Sequence, residues 1–406
     1  MSKNNLLFVG PWPPPYGGIA SNLYELLPVV KKKGYNVHVL SYTYEASEIS
    51  KTEKGVQIKY FAPSTFFKQN ILSIFCKALR QLRYKNNLPL KRYIRAITIS
   101  ERVNRIIKNE QIDYVFTYDN DQLHLSPFIK KTNGYPKIFC SIYGAFFLNP
   151  ALYENEKQFL IYAIQNTDKI LSCSKYCVDS AKSYLGIEYP TRVIYNNVDE
   201  LIFKPENDGS LIREKHNIDN DAIVLMTMGR IGVDMGIDFL LRSLTAITSI
   251  DKKIIVFFVG AKAELCNQVE DLAKENPQVR FAFNIPIEEK HNYFAACDIF
   301  TAPTKEKHAC MGIANIEAMM SGKAVISSTS GGHPETIEDK VSGILVPFRN
   351  GKLNEDIYIK ELTTLVKNDI IRNDFRKKGR ERALKLFTNE QIVQEHIDLI
   401  NEFPNK

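Results

Sequence analysis

The chain has 406 residues, of which 44% are hydrophobic and 24% are charged, and its formal net charge is +7. This length exceeds one ordinary domain and suits two, and the composition excludes a disordered or fibrous protein. No apolar run approaches the roughly eighteen residues that span a bilayer. The apolar run that ends at Pro11 is shorter than the core of a secretory signal. We therefore expect a cytoplasmic protein.

Seven cysteines are scattered through apolar segments. An odd number in such places is typical of buried, reduced thiols, which also favours the cytosol. Cys173 and Cys177 are four residues apart, but no second cysteine or histidine pair follows at metal-binding spacing. We expect no metal and no cofactor.

Short apolar runs alternate with amphipathic stretches along the whole chain. In the first half we predict strands at Leu6–Val9, Val37–Leu40, Tyr114–Thr117 and Lys137–Ile142, with helices at Ser21–Lys33 and Ser100–Asn109. In the second half we predict strands at Ile223–Met228, Ile254–Val259, Val279–Phe283, Ile299–Ala302, Ala324–Ser327 and Ile344–Val346. Two series of alternating strands and helices indicate an α/β protein with two doubly wound parallel sheets.

The two series meet near Asn196–Pro205, where paired asparagines that tolerate a left-handed turn precede a proline. We place an N-terminal domain at residues 1–203, completed by about 388–406, and a C-terminal domain at 204–387. Ligands of doubly wound sheets bind at the carboxyl ends of the strands, so a cleft between the two sheets is the expected site. The glycine fingerprint of dinucleotide-binding proteins and the P-loop pattern are both absent from the sequence.

Residues 312–335 carry the clearest chemical pattern. A tight turn at Gly312 opens a helix at Ile313, and the free N–H groups and dipole of a helix N-terminus suit a phosphate. Glu317, one turn further in, can accept hydrogen bonds from a diol such as ribose. Gly331-Gly332 lets the backbone approach a ligand closely. Taken singly, each feature is more often a solvated carboxylate or a plain turn.

Together these residues resemble the donor site of the retaining glycosyltransferases of family 4 (group 1). The positions in register are Gly312, Glu317-Ala318-Met319, Gly322, Gly331-Gly332, Glu335 and Ser342-Gly343-Ile344-Leu345-Val346-Pro347. Further similar segments are Pro11–Gly18, Val193–Pro205, Met228–Arg230, Asn292–Pro303 and Phe387–Phe403. The resemblance implies the GT-B fold: two Rossmann-like parallel-sheet domains that face each other across a cleft, with a C-terminal helix that crosses back to the first.

The resemblance also implies a nucleotide-diphosphate sugar as donor substrate. Most of the site residues expected here follow from it, and Glu306 and His308 are added from the charged loop described below. The expected catalytic residues are Arg230, Glu317 and Glu306. The expected donor-binding residues are Gly17, Gly18, Gly229, Arg230, Gly260, His308, Cys310, Met311, Gly312, Ile313 and Glu317. His124 and Tyr143 are expected on the acceptor side, although a lone histidine such as His124 is more often structural.

Five positions depart from the family pattern, one of them Asn197, which stands in place of a glycine in the segment Val193–Pro205. Ala309 replaces a glutamate that grips the donor sugar, and Met235 replaces a lysine that clamps the diphosphate together with the arginine. Tyr143 stands in place of a histidine, and Phe283 in place of a glycine.

The loop Thr304–Met311 is longer than usual by about two residues and is charged. We expect one of its side chains to replace a missing group, with Glu306 reaching sugar hydroxyls or Lys307 or His308 reaching phosphate. The alternative is that the loop is simply a solvated charged segment.

Residues 66–108 contain eleven lysines and arginines against a single glutamate, with apolar residues interleaved. A basic amphipathic helix of this kind is typical of peripheral membrane contact, here at the inner face of the cell membrane, and it also suits the phosphate of a lipid-linked sugar. A solvated helix face is the alternative. No nucleic-acid-binding motif accompanies the charge, so we expect no nucleic-acid partner.

The leading hypothesis is a retaining glycosyltransferase that acts on a glycan or lipid-linked glycan, in surface polysaccharide or glycoconjugate synthesis. The departures at Ala309 and Met235 motivate a second hypothesis, a catalytically weak or inactive GT-B-like subunit that binds glycan or another transferase. A nucleotide-sugar epimerase with the same fold fits less well, because the hinge and the Glu317 segment follow the transferase pattern.

Overall fold

The computed structural model describes residues 4–12, 18–42, 49–62, 71, 88–118, 120–144, 150–305, 309–349 and 351–404. The chain divides into two compact units. The first unit comprises residues 1–197 and 392–406, and the second comprises residues 198–391. Each unit is built on its own predominantly parallel sheet.

Eight strands form the sheet of the first unit. They are β1 Asn5–Val9, β2 Asn36–Tyr42, β3 Ile49–Glu53, β4 Val56–Phe61, β5 Tyr114–Tyr118, β6 Lys137–Ile142, β7 Lys169–Ser172 and β8 Thr191–Val193. Their order is β3-β4-β2-β1-β5-β6-β7-β8, and only the hairpin β3–β4 is antiparallel. The chain changes direction across the sheet at β1, which is where doubly wound sheets open a crevice for ligands.

Helices cover both faces of this sheet. They are α1 Gly18–Lys32, α2 Leu90–Glu110, α3 Pro150–Tyr153, α4 Lys157–Gln165 and α5 Lys175–Leu185, with 3-10 helices at Asn120–Phe128 and Glu154–Glu156. Side chains alternate along β1, as a strand period of two requires. Leu7 and Val9 therefore join one buried cluster, which contains α2 and α4, while Leu6 and Phe8 join the opposite one, which contains α1.

The second unit has a six-stranded, fully parallel sheet. Its strands are β9 Ile223–Arg230, β10 Ile254–Ala261, β11 Val279–Phe283, β12 Ile299–Ala302, β13 Ala324–Ser328 and β14 Ile344–Val346, in the order β11-β10-β9-β12-β13-β14. A small antiparallel pair, β15 Phe348–Arg349 and β16 Lys352–Leu353, follows β14. The strands of the parallel sheet are apolar along most of their length because helices cover both of its faces.

The helices of the second half of the chain are α6 Ser210–Lys215, α7 Ile237–Arg242, α8 Leu244–Thr248, α9 Cys266–Glu275, α10 Lys290–Ala296, α11 Ile313–Met320, α12 His333–Thr336, α13 Glu355–Lys367, α14 Asp369–Leu386 and α15 Asn389–Asn401. Short 3-10 helices lie at Val233–Met235 and Ile287–Glu289. Asparagine side chains cap the long helices: Asn354 accepts from the N–H of Ile357, and Asn368 accepts from the N–H of Ile371, each at 3.0 Å.

The C-terminal helix α15 completes the first unit. Val393 and Leu399 are fully buried in the same cluster as α1. Beyond the helix, the Tyr114 hydroxyl donates to the carbonyl oxygen of Phe403 at 2.6 Å. The predicted fold class, with two Rossmann-like sheets and a terminal helix that returns to the first unit, is confirmed.

Candidate donor site

Several of the expected donor residues lie at one edge of the second sheet. Because β9, β10 and β12 run parallel, their carboxyl ends meet at the same edge. Gly229 and Arg230 end β9, and Gly260 lies opposite Gly229 near the end of β10. A Cβ at Gly260 would lie 1.8 Å from the carbonyl oxygen of Gly229, so the two strand ends pack backbone to backbone.

Gly312 forms the turn that starts α11. Its φ of +75° lies in the left-handed region, which favours glycine. A Cβ there would lie 2.6 Å from Cδ2 of His333, a side chain with 2% exposure. Nδ1 of His333 lies 2.9 Å from Oγ of Ser327 and 3.2 Å from the carbonyl oxygen of Ser328, and burial lowers the pKa of His333 to about 4. A neutral, hydrogen-bonded imidazole thus supports the start of α11.

Gly331 and Gly332 let the backbone of residues 309 and 310 approach closely. Gly331 has a φ of +54°, and a Cβ on it would lie 2.0 Å from the carbonyl oxygen of Ala309. A Cβ on Gly332 would lie 2.1 Å from the carbonyl oxygen of Cys310, and the Gly332 N–H donates to Ala309 at 2.7 Å. These glycines therefore hold the 309–310 segment, which leads into α11, in place. Their close approach to a ligand stays a prediction.

Glu317 lies on α11 and is 6% exposed, so the alternative of a solvated helix carboxylate is wrong. Its Oε1 pairs with the ammonium of Lys290, the first residue of α10. Its Oε2 is buried and has no hydrogen-bond partner among the described residues. Burial raises the pKa of Glu317, while the charge of Lys290 and its hydrogen bond act in the opposite direction. One oxygen of this carboxylate is therefore an unused, buried acceptor.

Arg230, at the end of β9, has a side chain that is 64% exposed and pairs with the carboxylate of Asp234. Met235, the residue in place of the family's lysine, packs against the apolar core of the second unit. The backbone N–H of Lys305 donates to the carbonyl oxygen of Asp234 at 3.2 Å, and its ammonium pairs with Asp238. The described charges at this edge are therefore partly neutralised within the protein.

Several predicted site residues lie outside the described part of the chain. They are Gly17, Glu306, Lys307 and His308. Gly18 is the first residue of α1. Met311 is buried, while Cys310 and Ile313 are half-buried near the start of α11. The proposed compensation by the 304–311 loop remains a prediction.

On the acceptor side, His124 lies in the 3-10 helix after β5 and is 3% exposed. Its Nε2 is 3.3 Å from Oε2 of Glu156, which Arg92 also contacts at 2.8 Å, and its ring lies 5.6 Å from that of Phe159. This buried cluster favours the structural alternative for His124.

Tyr143 follows β6 and lines a small cavity of about 20 Å³ at the carboxyl edge of the first sheet. Tyr118 and His396 also line it, and the Tyr118 hydroxyl lies 2.7 Å from Nε2 of His396. Such a cavity has room for roughly one water molecule. Tyr143 therefore lies at the edge where the resemblance places it, and its contact with an acceptor stays a prediction.

The basic stretch is described only in part. Its described cations lie on α2, which extends ten residues further toward the N-terminus than predicted, and they are Lys91, Arg92, Arg95, Arg102, Arg105 and Lys108. Arg92 reaches the buried Glu156, while Lys91, Arg105 and Lys108 are exposed. Across the described ranges, no helix is both long and apolar enough to cross a bilayer. No cluster of three metal-ligating side chains occurs in the same ranges.

Two family models cover most of the sequence. The model described as "Glycosyl transferases group 1" matches residues 208–382, and "Glycosyltransferase Family 4" matches residues 16–200. This chain belongs to the group 1 glycosyltransferases. The family consists of GT-B enzymes of the family 4 type that take nucleotide sugars as donors.

Individual relatives of this glycosyltransferase are distant. The lipopolysaccharide 1,2-N-acetylglucosaminetransferase of Salmonella typhimurium is 31% identical over 157 residues, which cover 36% of this chain and only 41% of that protein. A GDP-mannose-dependent monoacylated alpha-(1-6)-phosphatidylinositol monomannoside mannosyltransferase of Corynebacterium glutamicum is 22% identical over 363 residues, 87% of each chain. The solved structure of HepE from Anabaena, in complex with UDP and glucose, matches with a TM-score of 0.73 at 16% identity, over 98% of this chain and 99% of that one.

The structure adds two residues of the glycosyltransferase that sequence reasoning missed. Lys290 pairs with Glu317 from a helix 27 residues earlier in the chain. Asn315 is fully buried on the first turn of α11, and its Oδ1 also lacks a partner among the described residues. No local motif marks Lys290, whereas Asn315 stands directly before the Ile316-Glu317 pair of a segment that the resemblance had already singled out.

Proposed function

We propose that this glycosyltransferase moves a sugar from a nucleotide-diphosphate sugar to a glycan or lipid-linked glycan with retention of anomeric configuration. The observation that carries the proposal is the buried, unpartnered Oε2 of Glu317. A carboxylate oxygen only accepts hydrogen bonds, so its natural partner is a hydroxyl donor such as a ribose. Leaving it unpaired costs about 1–3 kcal/mol, which a bound hydroxyl would relieve.

The diphosphate would lie beside this hydroxyl site. Arg230 and the N-terminus of α11 after Gly312 both belong to the carboxyl edge of the second sheet. An arginine fork and the N–H groups of a helix start are complementary to phosphate oxygens. Catalysis then consists mainly of positioning and of stabilising negative charge on the departing diphosphate.

In the proposed reaction an acceptor hydroxyl bonds to the anomeric carbon on the face that the diphosphate leaves. The bond between that carbon and the phosphate oxygen breaks, its electron pair remains with the nucleoside diphosphate, and the acceptor's proton passes to the phosphate oxygen. The names of the Salmonella and Corynebacterium relatives place sugars on lipopolysaccharide and on a phosphatidylinositol mannoside. They support a lipid-linked or surface-glycan acceptor for this chain.

Exposed cations on α2, such as Lys91, Arg105 and Lys108, are consistent with cytoplasmic action at the inner membrane face. Sedimentation with anionic and with neutral liposomes tests this part of the proposal. Equal, salt-insensitive partitioning to both would contradict it.

The main test measures binding and turnover with Glu317→Gln against a matched control, Glu275→Gln, an exposed glutamate on α9 of the same unit. We expect one of UDP, GDP or ADP to stabilise the wild type to heat, and Glu317→Gln to weaken that affinity by about ten- to a hundredfold, the equivalent of one charged hydrogen bond. The corresponding nucleotide sugars, incubated with a glycolipid extract, should release the nucleoside diphosphate. NMR of the product's anomeric proton then decides between retention and inversion.

A second candidate is the catalytically weak or inactive partner subunit. It is favoured by Ala309, whose position carries no carboxylate, and by the engagement of Arg230 with Asp234. It predicts no release of nucleoside diphosphate for any sugar and acceptor tried, and binding of a glycan or of another transferase. No binding and no release with any donor would favour it over the leading proposal.

A further inference from the structure

The two oxygens of Glu317 have different surroundings. Oε1 pairs with Lys290, and Oε2 is buried without a partner among the described residues. The side chain of Glu317 is 8% exposed and that of Lys290 is 26% exposed, so the ammonium reaches the carboxylate from the more open side. The pair joins the first residue of α10 to the second turn of α11.

Without a cation, burial would favour the neutral form of this carboxyl group. Removing a carboxylate from water disfavours its charge, and an adjacent cation restores it. The protonated form carries an O–H donor and has less capacity to accept. A hydroxyl-binding site built on Glu317 therefore requires a nearby positive charge.

Other charged groups near α11 are engaged elsewhere. On α14, Arg380 donates to the carbonyl oxygens of Met320 and Phe203, and Nε of Arg382 donates to that of Thr336 at 2.8 Å. Lys323, just after α11, donates to the carbonyl oxygen of Ala295 at 3.0 Å.

Helix α12, which also packs against α11, contains two ionisable side chains, His333 and Glu335. His333 is held by Ser327 and Ser328 in its neutral form, and the carbonyl oxygen of Glu335 accepts from Arg382. The facing strands β12 and β13 contain no charged residue. Within the described ranges, Lys290 is the charge that acts on Glu317.

We propose that Lys290 is a positioning residue of the donor site, which keeps Glu317 ionised and occupies Oε1 so that Oε2 is presented to a hydroxyl of the nucleotide's ribose. This inference rests on the proposed function. It goes beyond that function by assigning the ionisation and orientation of the ribose-binding carboxylate to a residue on another helix. It also makes nucleotide affinity dependent on pH when Lys290 is changed.

The test compares wild type with Lys290→Met, Lys290→Gln and Lys290→Arg, and with the control Lys274→Met, an exposed lysine of α9 that pairs with Asp271. Carbon-13 NMR of glutamate-labelled protein, with Glu317 assigned by its replacement with glutamine, follows the carboxyl titration directly. Calorimetry measures the affinity for UDP, GDP and ADP across the pH range in which all variants remain folded.

We expect the Glu317 carboxyl to titrate at higher pH in Lys290→Met and Lys290→Gln than in wild type. The affinity for the bound nucleotide should fall by about tenfold near neutral pH, and by more as the pH falls, since one charge-assisted hydrogen bond depends on the ionised form. Lys290→Arg should restore both properties because it retains the charge, and Lys274→Met should change neither.

An unchanged carboxyl titration in both neutral variants would overturn the inference. So would a loss of affinity that is the same at every pH, because that is the result of a merely structural change. If the wild type binds none of the three nucleotides, the proposed function fails, and the NMR titration still decides whether Lys290 sets the charge of Glu317. The glutamine variant, which keeps a hydrogen-bond donor, guards against loss of folding in the methionine variant.

Discussion

Under the proposed function, Asp234 competes with the donor diphosphate for Arg230. The guanidinium of Arg230 pairs with the Asp234 carboxylate four residues later, although the proposed function requires it to meet a diphosphate. Asparagine has nearly the same shape but no charge. The backbone contact at this position, from the N–H of Lys305 to the Asp234 carbonyl oxygen, does not depend on the side chain. We therefore predict that Asp234→Asn binds the nucleoside diphosphate more tightly than wild type.

The size of the expected gain in affinity follows from the exposure of the two side chains. The Arg230 side chain is 64% exposed and that of Asp234 is 28% exposed, so water screens the pair. Exposed ion pairs contribute about 0.2–1 kcal/mol. At about 1.4 kcal/mol per factor of ten, freeing the arginine should tighten binding by roughly 1.5- to 5-fold.

Calorimetry with the nucleotide that binds wild type checks this prediction at low and at high salt. The gain should shrink at high salt, where charges are screened over a few ångströms. Asp221→Asn is the matched control, because Asp221 forms an exposed pair with Lys253 just before the amino end of β9. Affinity equal to or weaker than wild type for Asp234→Asn, with Asp221→Asn unchanged, would refute the idea that the pair restrains Arg230.

Three further predictions concern stability and the acceptor side. Gly331→Ala should destabilise the protein by more than the ~1 kcal/mol of a left-handed alanine, since its Cβ would lie 2.0 Å from a carbonyl oxygen. Gly351→Ala, with φ +74° and open space, should cost only that strain in the same thermal melts, and equal losses would contradict the packing argument. His124→Gln should lower the melting temperature and leave the acceptor KM unchanged, because the His124 ring is buried beside Glu156. A raised KM at unchanged stability would instead support acceptor binding by His124. Burial lowers the pKa of His396 to about 4 in the folded protein. Below about pH 6.5 the histidine therefore binds a proton in the unfolded chain, while it stays neutral in the folded chain. The free energy of unfolding should therefore fall as the pH decreases from about 6.5 to about 4. His396→Gln should reduce this pH dependence in denaturant titrations, and an unchanged pH dependence would contradict a neutral His396 in the folded protein.

The sequence predicted the central strands well because they are long and apolar. Predicted Ile223–Met228 and Ile254–Val259 correspond to β9 and β10, which run two residues further at their carboxyl ends. The hairpin β3–β4 was missed, since β3 is exposed and polar and its turn, Lys54-Gly55, is not a usual hairpin sequence. Both turn residues have positive φ, which only glycine favours. Exposed edge strands have too little apolar periodicity to be recognised.

The helix after residue 88 shows a second limit of prediction from sequence. The predicted helix Ser100–Asn109 is the last half of α2, Leu90–Glu110. Its first turns mix basic residues with Tyr93, Ala96 and Ile97, which are buried against the sheet. The cations concealed this apolar face, because long basic side chains keep their charge in water while their stems cover the core.

The donor motif predicted the position of Glu317 on a helix, but not its burial or its ion pair. The spacing of Gly312 and Glu317 fixes a helix start and a carboxylate in its second turn, which local sequence determines. The burial of Glu317 and its pairing with Lys290 depend on how α10 packs beside α11, and only tertiary structure determines that. For the same reason the packing of Gly331 and Gly332 against the backbone of Ala309 and Cys310 could not be predicted from sequence.

Helix α11 has two binding features, a helix N-terminus and a pair of buried acceptors, that one kind of ligand can satisfy together. Its N-terminus, which no described side chain caps, favours an anion. Its first two turns carry two buried acceptors, Oδ1 of Asn315 and Oε2 of Glu317, that lack partners among the described residues. Each unpaired acceptor costs roughly 1–3 kcal/mol, and such groups persist in native proteins mainly where a function uses them. An inorganic phosphate would satisfy only the helix start, and a neutral sugar only the acceptors. A nucleoside diphosphate carries both an anion and a ribose diol a few bonds apart, so it is the chemistry that this helix fits.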